Sequence, residues 1–313
     1  HRYKHQPPFN PPYYHARAVA EQIAAFNAAV LILGSATPDV STYYRAQKGD
    51  LQYLHLPSRI MGHRQRVQDQ AQRFGVQPRY YKDDQTAEHD ALSMALPPVE
   101  VVDMRDELKA DNRSIFSRSL HAALTTVLER DEQAILFLNR RGQATYVFCR
   151  DCGFVFACPR CETPLTHHRK GEHLRCHRCN YEMPAPTTCP ECGSQRVKYF
   201  GAGTQQVEEA LMNTFPDVRT VRWDADTASK AESHEEILQQ FIDHQADVMI
   251  GTQMVAKGLD LPLVTLVGVV SADPGLFLPD FRAPERAFQL LTQVAGRAGR
   301  GILGGRVIVQ TYQ

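Results

Sequence analysis

The chain has 313 residues, 43% hydrophobic and 22% charged, a balance that excludes the disordered and fibrous classes. Its 35 lysines and arginines are matched by 35 aspartates and glutamates, so no global positive field advertises a nucleic-acid ligand and any such contact must be local. The longest apolar runs, such as 261–270, are too short to span a bilayer, and the opening His1-Arg2-Tyr3-Lys4 lacks signal-peptide character, so a cytoplasmic protein with no membrane contact is expected.

The length exceeds what one compact core organises, and more than one folding unit is predicted. The start without methionine, in mid-pattern, adds the expectation of a fragment. Residues 3–17 mix Pro7, Pro8, Pro11 and Pro12 with Phe9, Tyr13 and Tyr14, which predicts an aromatic, proline-bound loop. A helix is predicted over 15–26, then a buried strand over 29–33 that feeds the turn Gly34-Ser35-Ala36-Thr37-Pro38.

Residues 59–94 are rich in Gln, Arg, Asp and His, show little apolar periodicity, and predict a solvated connector between two lobes. Beyond them, β-rich runs at 99–103, 134–138, 218–223, 247–250, 264–270 and 306–311 alternate with helices at 119–129, 204–215, 233–244 and 284–294. Ser233 and Glu236 read as a capping box opening the third helix. The alternation predicts an α/β fold, a parallel sheet with helices on both faces, interrupted over 149–198.

That interruption holds all eight cysteines, as Cys149/Cys152, Cys158/Cys161, Cys176/Cys179 and Cys189/Cys192. Two intervening residues let both thiolates of a pair turn toward one tetrahedral ion at about 2.3 Å per bond, and four pairs supply two closed Zn2+ sites. A redox site needs one pair and a packed core needs no regular spacing, so structural zinc is the favoured reading. With sulfur in every position, neither ion has a place for a reacting water. Spacing does not fix which pairs share an ion. The nested grouping, Cys149, Cys152, Cys189 and Cys192 on one ion and Cys158, Cys161, Cys176 and Cys179 on the other, is favoured because it closes the module at its base.

Near the end stands Gln293-Val294-Ala295-Gly296-Arg297-Ala298-Gly299-Arg300, whose two arginines, three apart, converge on one anion if they share a helical turn. Gly251-Thr252-Gln253-Met254-Val255-Ala256-Lys257-Gly258 follows a predicted strand, where backbone amides and a hydroxyl can hold phosphate oxygens. Each string is common by itself.

In order, Gly34 to Pro38, Asn139-Arg140-Arg141-Gly142, the four cysteine pairs, Gly251 to Gly258 and Gln293 to Arg300 resemble the PriA family of primosomal replication-restart helicases, in superfamily 2. The resemblance covers most of the chain, and zinc pairs placed just after Asn-Arg-Arg-Gly are specific to that family. It implies an ATP-dependent 3′→5′ DNA helicase acting in replication restart and primosome assembly at stalled forks. Two structural Zn2+ would accompany ATP with Mg2+ in the intact enzyme. The implied partners are forked and single-stranded DNA, single-stranded DNA-binding protein and other primosome proteins.

On the same resemblance, Gly34, Ser35, Ala36 and Thr37 couple nucleotide state to DNA grip. Tyr13, Tyr14, Arg141, Thr252, Gln253 and Lys257 fall on the DNA side, and Gln293, Arg297 and Arg300 are catalytic, with the two arginines reaching the γ-phosphate. The implied domains are the rear of helicase lobe 1 (1–58), a connector or insertion (59–98), a RecA-like lobe 2 (99–148 and 199–313) and a zinc module inserted in it (149–198). No Gly-x-x-x-x-Gly-Lys-[Ser/Thr] phosphate loop is present in the sequence, so the chain alone is expected to be inactive. The competing expectation is a non-catalytic DNA- or protein-binding primosome scaffold.

Overall fold

The structure is a computed structural model that describes residues 14–56, 59–63, 69, 71–73, 75–77, 91–94, 96–139, 146–149, 151–168, 173–200, 203–224, 227, 231–252, 261–276, 280–299 and 303–312. Two compact units divide it, residues 1–53 and 54–313.

The first unit carries α1 (Ala16–Phe26) and α2 (Val40–Gln47), neither of which has a buried residue. Asp39 caps α2 by accepting from the Thr42 amide at 3.0 Å. Burial works against the Asp39 carboxylate, but hydrogen bonds from Ser41 and Thr42 and the Arg17 guanidinium hold its pKa well below the usual carboxylate range. The strand expected over 29–33 does not form: the segment is irregular, with Val30 89% and Ile32 82% exposed. A strand needs a neighbour to accept and donate its backbone hydrogen bonds, and no described strand of the chain pairs with this one.

The second unit opens on an antiparallel ribbon, β1 (Arg59–His63) with β2 (Ala91–Met94), so the two ends of the expected connector are paired strands rather than free coil. Strands this short carry too few residues to show a period in the sequence. The main sheet follows. Its strands are β3 (Val99–Asp103), β4 (Gln133–Leu138), β10 (Thr220–Trp223), β11 (Val248–Gly251), β12 (Val264–Ser271) and β13 (Arg306–Thr311), in the order β10-β11-β4-β12-β13-β3. Every neighbouring pair is parallel.

Its connections are α3 (Met104–Lys109), α4 (Arg118–Glu129), α5 (Thr204–Thr214), α6 (Ala231–Ile242), α7 (Asp273–Leu276) and α8 (Ala283–Ala295). Side-chain alternation along β4 divides the core. Ile135 and Phe137 pack with Phe241 of α6 and Leu290 and Val294 of α8, whereas Ala134, Leu136 and Leu138 pack with Leu120 and Leu124 of α4 and Val207 and Leu211 of α5. The sheet is thus covered on both faces, which is why β4, β11 and β12 are buried at every position and read as continuous apolar runs rather than alternating ones.

Helix α6 begins at Ala231, which places Ser233 inside the helix and excludes the expected capping box. Ala231 and Glu232 are themselves strong helix formers and carry the start upstream of the serine. A second sheet, order β8-β7-β6-β5-β9, is built from β5 (Tyr146–Cys149), β6 (Thr166–His168), β7 (His173–Arg175), β8 (Glu182–Pro184) and β9 (Val197–Phe200). It interrupts the main fold between β4 and α5, with β5 and β9 antiparallel. No described helix is long and apolar enough to cross a membrane.

Gln310 of β13, 1% exposed, stitches the lobe together. Its Nε2 donates to Val270 O at 3.0 Å and Ile115 O at 2.9 Å, and its Oε1 accepts from Ser117 N, at the start of α4, at 2.7 Å. Gln310→Ala strands those buried groups, and the zinc-loaded chain is expected to lose about 1–3 kcal/mol in urea unfolding with no change in metal content.

Candidate functional site

The four cysteine pairs adopt one local shape. In each, the residue after the second cysteine returns its amide to the carbonyl of the first: Gly153 to Cys149 at 3.0 Å, Glu162 to Cys158 at 2.8 Å, Asn180 to Cys176 at 2.9 Å and Gly193 to Cys189 at 2.9 Å. That closing residue has φ of 78°, 58°, 58° and 72° respectively, the left-handed region where glycine and asparagine cost little and glutamate costs more. The turn also aims amides at sulfur: Asp151 N donates to Cys149 Sγ at 3.3 Å and Arg160 N to Cys158 Sγ at 3.4 Å.

The fold brings the turns together in the nested grouping. The sulfurs of Cys149, Cys152, Cys189 and Cys192 lie within 4.8 Å of one another, as do those of Cys158, Cys161, Cys176 and Cys179. Sulfur pairs stand at 3.6 Å (Cys149 and Cys192), 3.6 Å (Cys152 and Cys189) and 3.5 Å (Cys158 and Cys179). A tetrahedron with bonds of about 2.3 Å has edges of about 3.8 Å, so both clusters match a zinc ion in size.

Their protonation points the same way. The hydrogen bond to Cys179 and burial push the Cys161 thiol up to about 12. Burial also opposes ionisation of Cys176, but hydrogen bonds from Thr163 and from the Cys179 and Arg178 amides pull it down to about 6. Sulfurs this close cannot all ionise without a cation to offset them, and Zn2+ supplies that charge. Among the described residues, each centre gathers four cysteine sulfurs and is suited to structural zinc.

The motif residues of the main lobe divide between its two edges. At the carboxyl ends of the strands stand Asn139, after β4, and Thr252, after β11, whose amide donates to Trp223 O at 3.4 Å. Asn139 is 2% exposed; its Nδ2 donates to Ala272 O at 3.2 Å, and its buried Oδ1 has no hydrogen-bond partner among the described residues. At the amino end of β12, Gly299 donates to Val264 O at 3.3 Å and brings Arg297 with it. Arg297 is 5% exposed and its Nε donates to Gln293 O at 3.3 Å, one turn back on α8. A side chain on Gly305 would meet Gly299 N at 2.5 Å, so this backbone crossing requires glycine.

Parallel strands of this length separate the two edges by roughly 15–20 Å. Gln293 and Arg297 are therefore brought together, and Thr252 lies apart from them. In the first unit, Gly34, Ser35, Ala36 and Thr37 form an irregular turn in which Ser35 Oγ accepts from Thr37 N at 3.1 Å, and Tyr14 is 45% exposed. Tyr13, Arg141, Gln253, Lys257 and Arg300 lie outside the described residues.

Asp273 was not visible as a site residue in the sequence. Wholly buried, it accepts from Thr311 Oγ1 at 2.6 Å, from Tyr312 N at 3.3 Å and from Ser271 Oγ at 3.3 Å, and burial pushes its carboxyl pKa up. The available signal was the acid in Ser271-Ala272-Asp273-Pro274, directly after a buried strand.

Metal analysis of the purified chain is expected to return two Zn2+, with one lost in Cys152→Ser and one in Cys161→Ser. Chelation should remove amide-exchange protection from β5 to β9, whose strands have three or four residues, and leave β4 and β12 protected. Glu162→Gly relieves a left-handed residue and should raise the unfolding free energy of the zinc-loaded module by up to about 1 kcal/mol, read by thermal denaturation.

Comparison with known proteins bears on these centres. A family described as the PriA DNA helicase Cys-rich region domain matches residues 158–184, and the helicase conserved C-terminal domain matches residues 192–301. The replication restart protein PriA of Bacillus subtilis is 46% identical over 301 residues, covering 96% of this chain and 34% of that protein. Its namesake in Synechocystis is 46% identical over 309 residues, again 96% of this chain and 34% of the relative.

Among solved structures, the Pyrococcus furiosus Hef helicase domain is 17% identical, covers 61% of this chain and 24% of its own, and superposes with a TM-score of 0.29, too loose to carry any argument. The chain spans about a third of the length of the curated relatives it matches. At this identity and with these two domains in register, the chain belongs to the PriA family.

Proposed function

We propose that the chain carries the second motor lobe of an ATP-dependent 3′→5′ DNA helicase that acts in replication restart and primosome assembly at stalled forks. Lobe 2 comprises 99–148 and 199–313, with the zinc module inserted over 149–198, the rear of lobe 1 over 1–58 and a connector over 59–98. The observation that carries the reading is the contact of Arg297, in the turn just after α8, with Gln293 in the last turn of that helix, at the opposite sheet edge from Thr252.

Phosphoryl transfer spreads charge over equatorial oxygens, and a guanidinium held in a water-poor site stabilises it. Arg297 and Arg300 take that part toward ATP with its Mg2+, while Gly34 to Thr37 pass the nucleotide state to the DNA grip. Thr252, Gln253, Lys257 and Arg141 hold the phosphate backbone, and Tyr13 and Tyr14 stack on bases. Burial of Arg297 supports this: a guanidinium 5% exposed, in the turn after α8, is already largely desolvated. The two zinc ions are structural.

The working partners are forked and single-stranded DNA, single-stranded DNA-binding protein and other primosome proteins, in the cytoplasm. A non-catalytic DNA- or protein-binding primosome scaffold is the second reading. In the full-length protein, Arg297→Ala or Arg300→Ala is expected to lower DNA-stimulated ATP hydrolysis by at least about tenfold with zinc content unchanged. Normal turnover in both variants removes their assigned roles, and absence of DNA-stimulated hydrolysis in the unaltered protein selects the scaffold.

A further inference from the structure

The zinc module meets the main lobe through one of its two metal centres, and a single carboxylate organises that meeting. Asp151 lies between the ligand positions Cys149 and Cys152. Arg113, from the lobe segment between α3 and α4, donates Nη1 to Asp151 Oδ1, and Ser194 Oγ donates to Oδ2. Arg196 Nη1 stands 3.3 Å from Oδ1. Ser194 and Arg196 follow the turn that holds Cys189 and Cys192, so one side chain ties the lobe to both halves of the same centre.

The surroundings leave this contact little freedom. Gly153, the next residue but one, is pressed against α3 so closely that a Cβ there would meet Arg105 Cγ at 2.6 Å. Arg105 is itself fixed by paired hydrogen bonds to Asp103, its Nε at 2.9 Å from Oδ1 and its Nη2 at 2.6 Å from Oδ2. Beside it the Phe148 ring packs on Tyr312 with centroids 4.8 Å apart, over Met104 and Leu108. The other centre has no such dock: Arg160, His177 and Arg178 in its turns are exposed, and no ion pair among the described residues joins it to the lobe.

We infer that Asp151 is a positioning residue that fixes the angle of the zinc module on the motor lobe, so that module and lobe move as one body through the motor cycle. The inference rests on the motor reading given above. The apolar contact at Phe148 supplies adhesion but little direction, because van der Waals packing tolerates rotation that a carboxylate held by two hydrogen-bond donors and a second, ion-paired arginine does not. Without the carboxylate, the module keeps its metal and its fold and turns about its two covalent links to the lobe.

The test places nitroxides, through ketone-bearing amino acids that spare the cysteines, at exposed Arg178 and exposed Gln239 of α6 and reads the distance distribution by pulsed electron resonance. A single narrow distribution is expected for the unaltered chain. Asp151→Asn and Arg113→Ala should each broaden it with two Zn2+ retained, and the swap Arg113→Asp with Asp151→Arg should narrow it again.

In the full-length protein the same single variants should keep single-stranded-DNA-stimulated ATP hydrolysis and lose fork unwinding by at least about threefold. A narrow distribution in Arg113→Ala, which sits away from the metal ligands, or unwinding per ATP unchanged in a variant with a broadened distribution, overturns the inference. If the unaltered protein shows no DNA-stimulated hydrolysis, the motor reading fails on its own account, and the distance distributions alone decide whether Asp151 sets the angle.

Discussion

A chain that leaves a parallel sheet after its central strand must come back to nearly the same point, and the rest of this structure depends on how that closure is made. Strand β4 is buried at all six positions and lies between β11 and β12, so nothing bulky can be threaded beside it. The excursion that follows therefore needs its own base. Antiparallel pairing of β5 with β9, from Tyr146 opposite Phe200 to Cys149 opposite Val197, supplies one closure. The nested cysteines supply the second: Cys149 and Cys152 share a centre with Cys189 and Cys192, which belong to the returning arm. Sequential pairing of the same cysteines would have closed each half on itself and left the base open.

This closure explains what the sequence made legible. Cys-x-x-Cys spacing reveals that thiolates converge, because two residues make one turn, and the main strands were visible because burial on both faces removes polar residues from them. Strands 99–103 and 306–311 stand where periodicity placed them. The failures have physical causes too. Residues 29–33 have a strand's composition, but a strand is a pairwise object and composition says nothing of its partner. Ser233 has a cap's chemistry, but helix formers upstream moved the start away from it.

The candidate site divided along the same line. Groups held by local turns, such as the four Cys-x-x-Cys turns, were readable from spacing. Groups assembled from distant segments were not. Asp273 gathers donors from β12 and β13, Gln310 bridges three segments, and Asp151 joins Arg113 across the lobe boundary. None has a pattern in sequence, since each partner comes from a segment whose approach only the folded sheet determines.

The balanced net charge follows the same economy of local pairing. A tetrathiolate zinc centre carries about minus two, and the two centres offset it differently. Arg160 and Arg178 occupy the turns of the outer centre, so its compensation is built into its own loops. The docked centre instead carries Asp151 and Glu191 against a single arginine, Arg150, in its turns, and Asp151 draws Arg113 from the lobe and Arg196 from the start of the returning strand. Among the described residues, the lobe-side Arg113 and the β9-side Arg196 pair with the acid there. The contact between Asp151 and Arg113 therefore pairs a charge of the metal loop with one of the lobe.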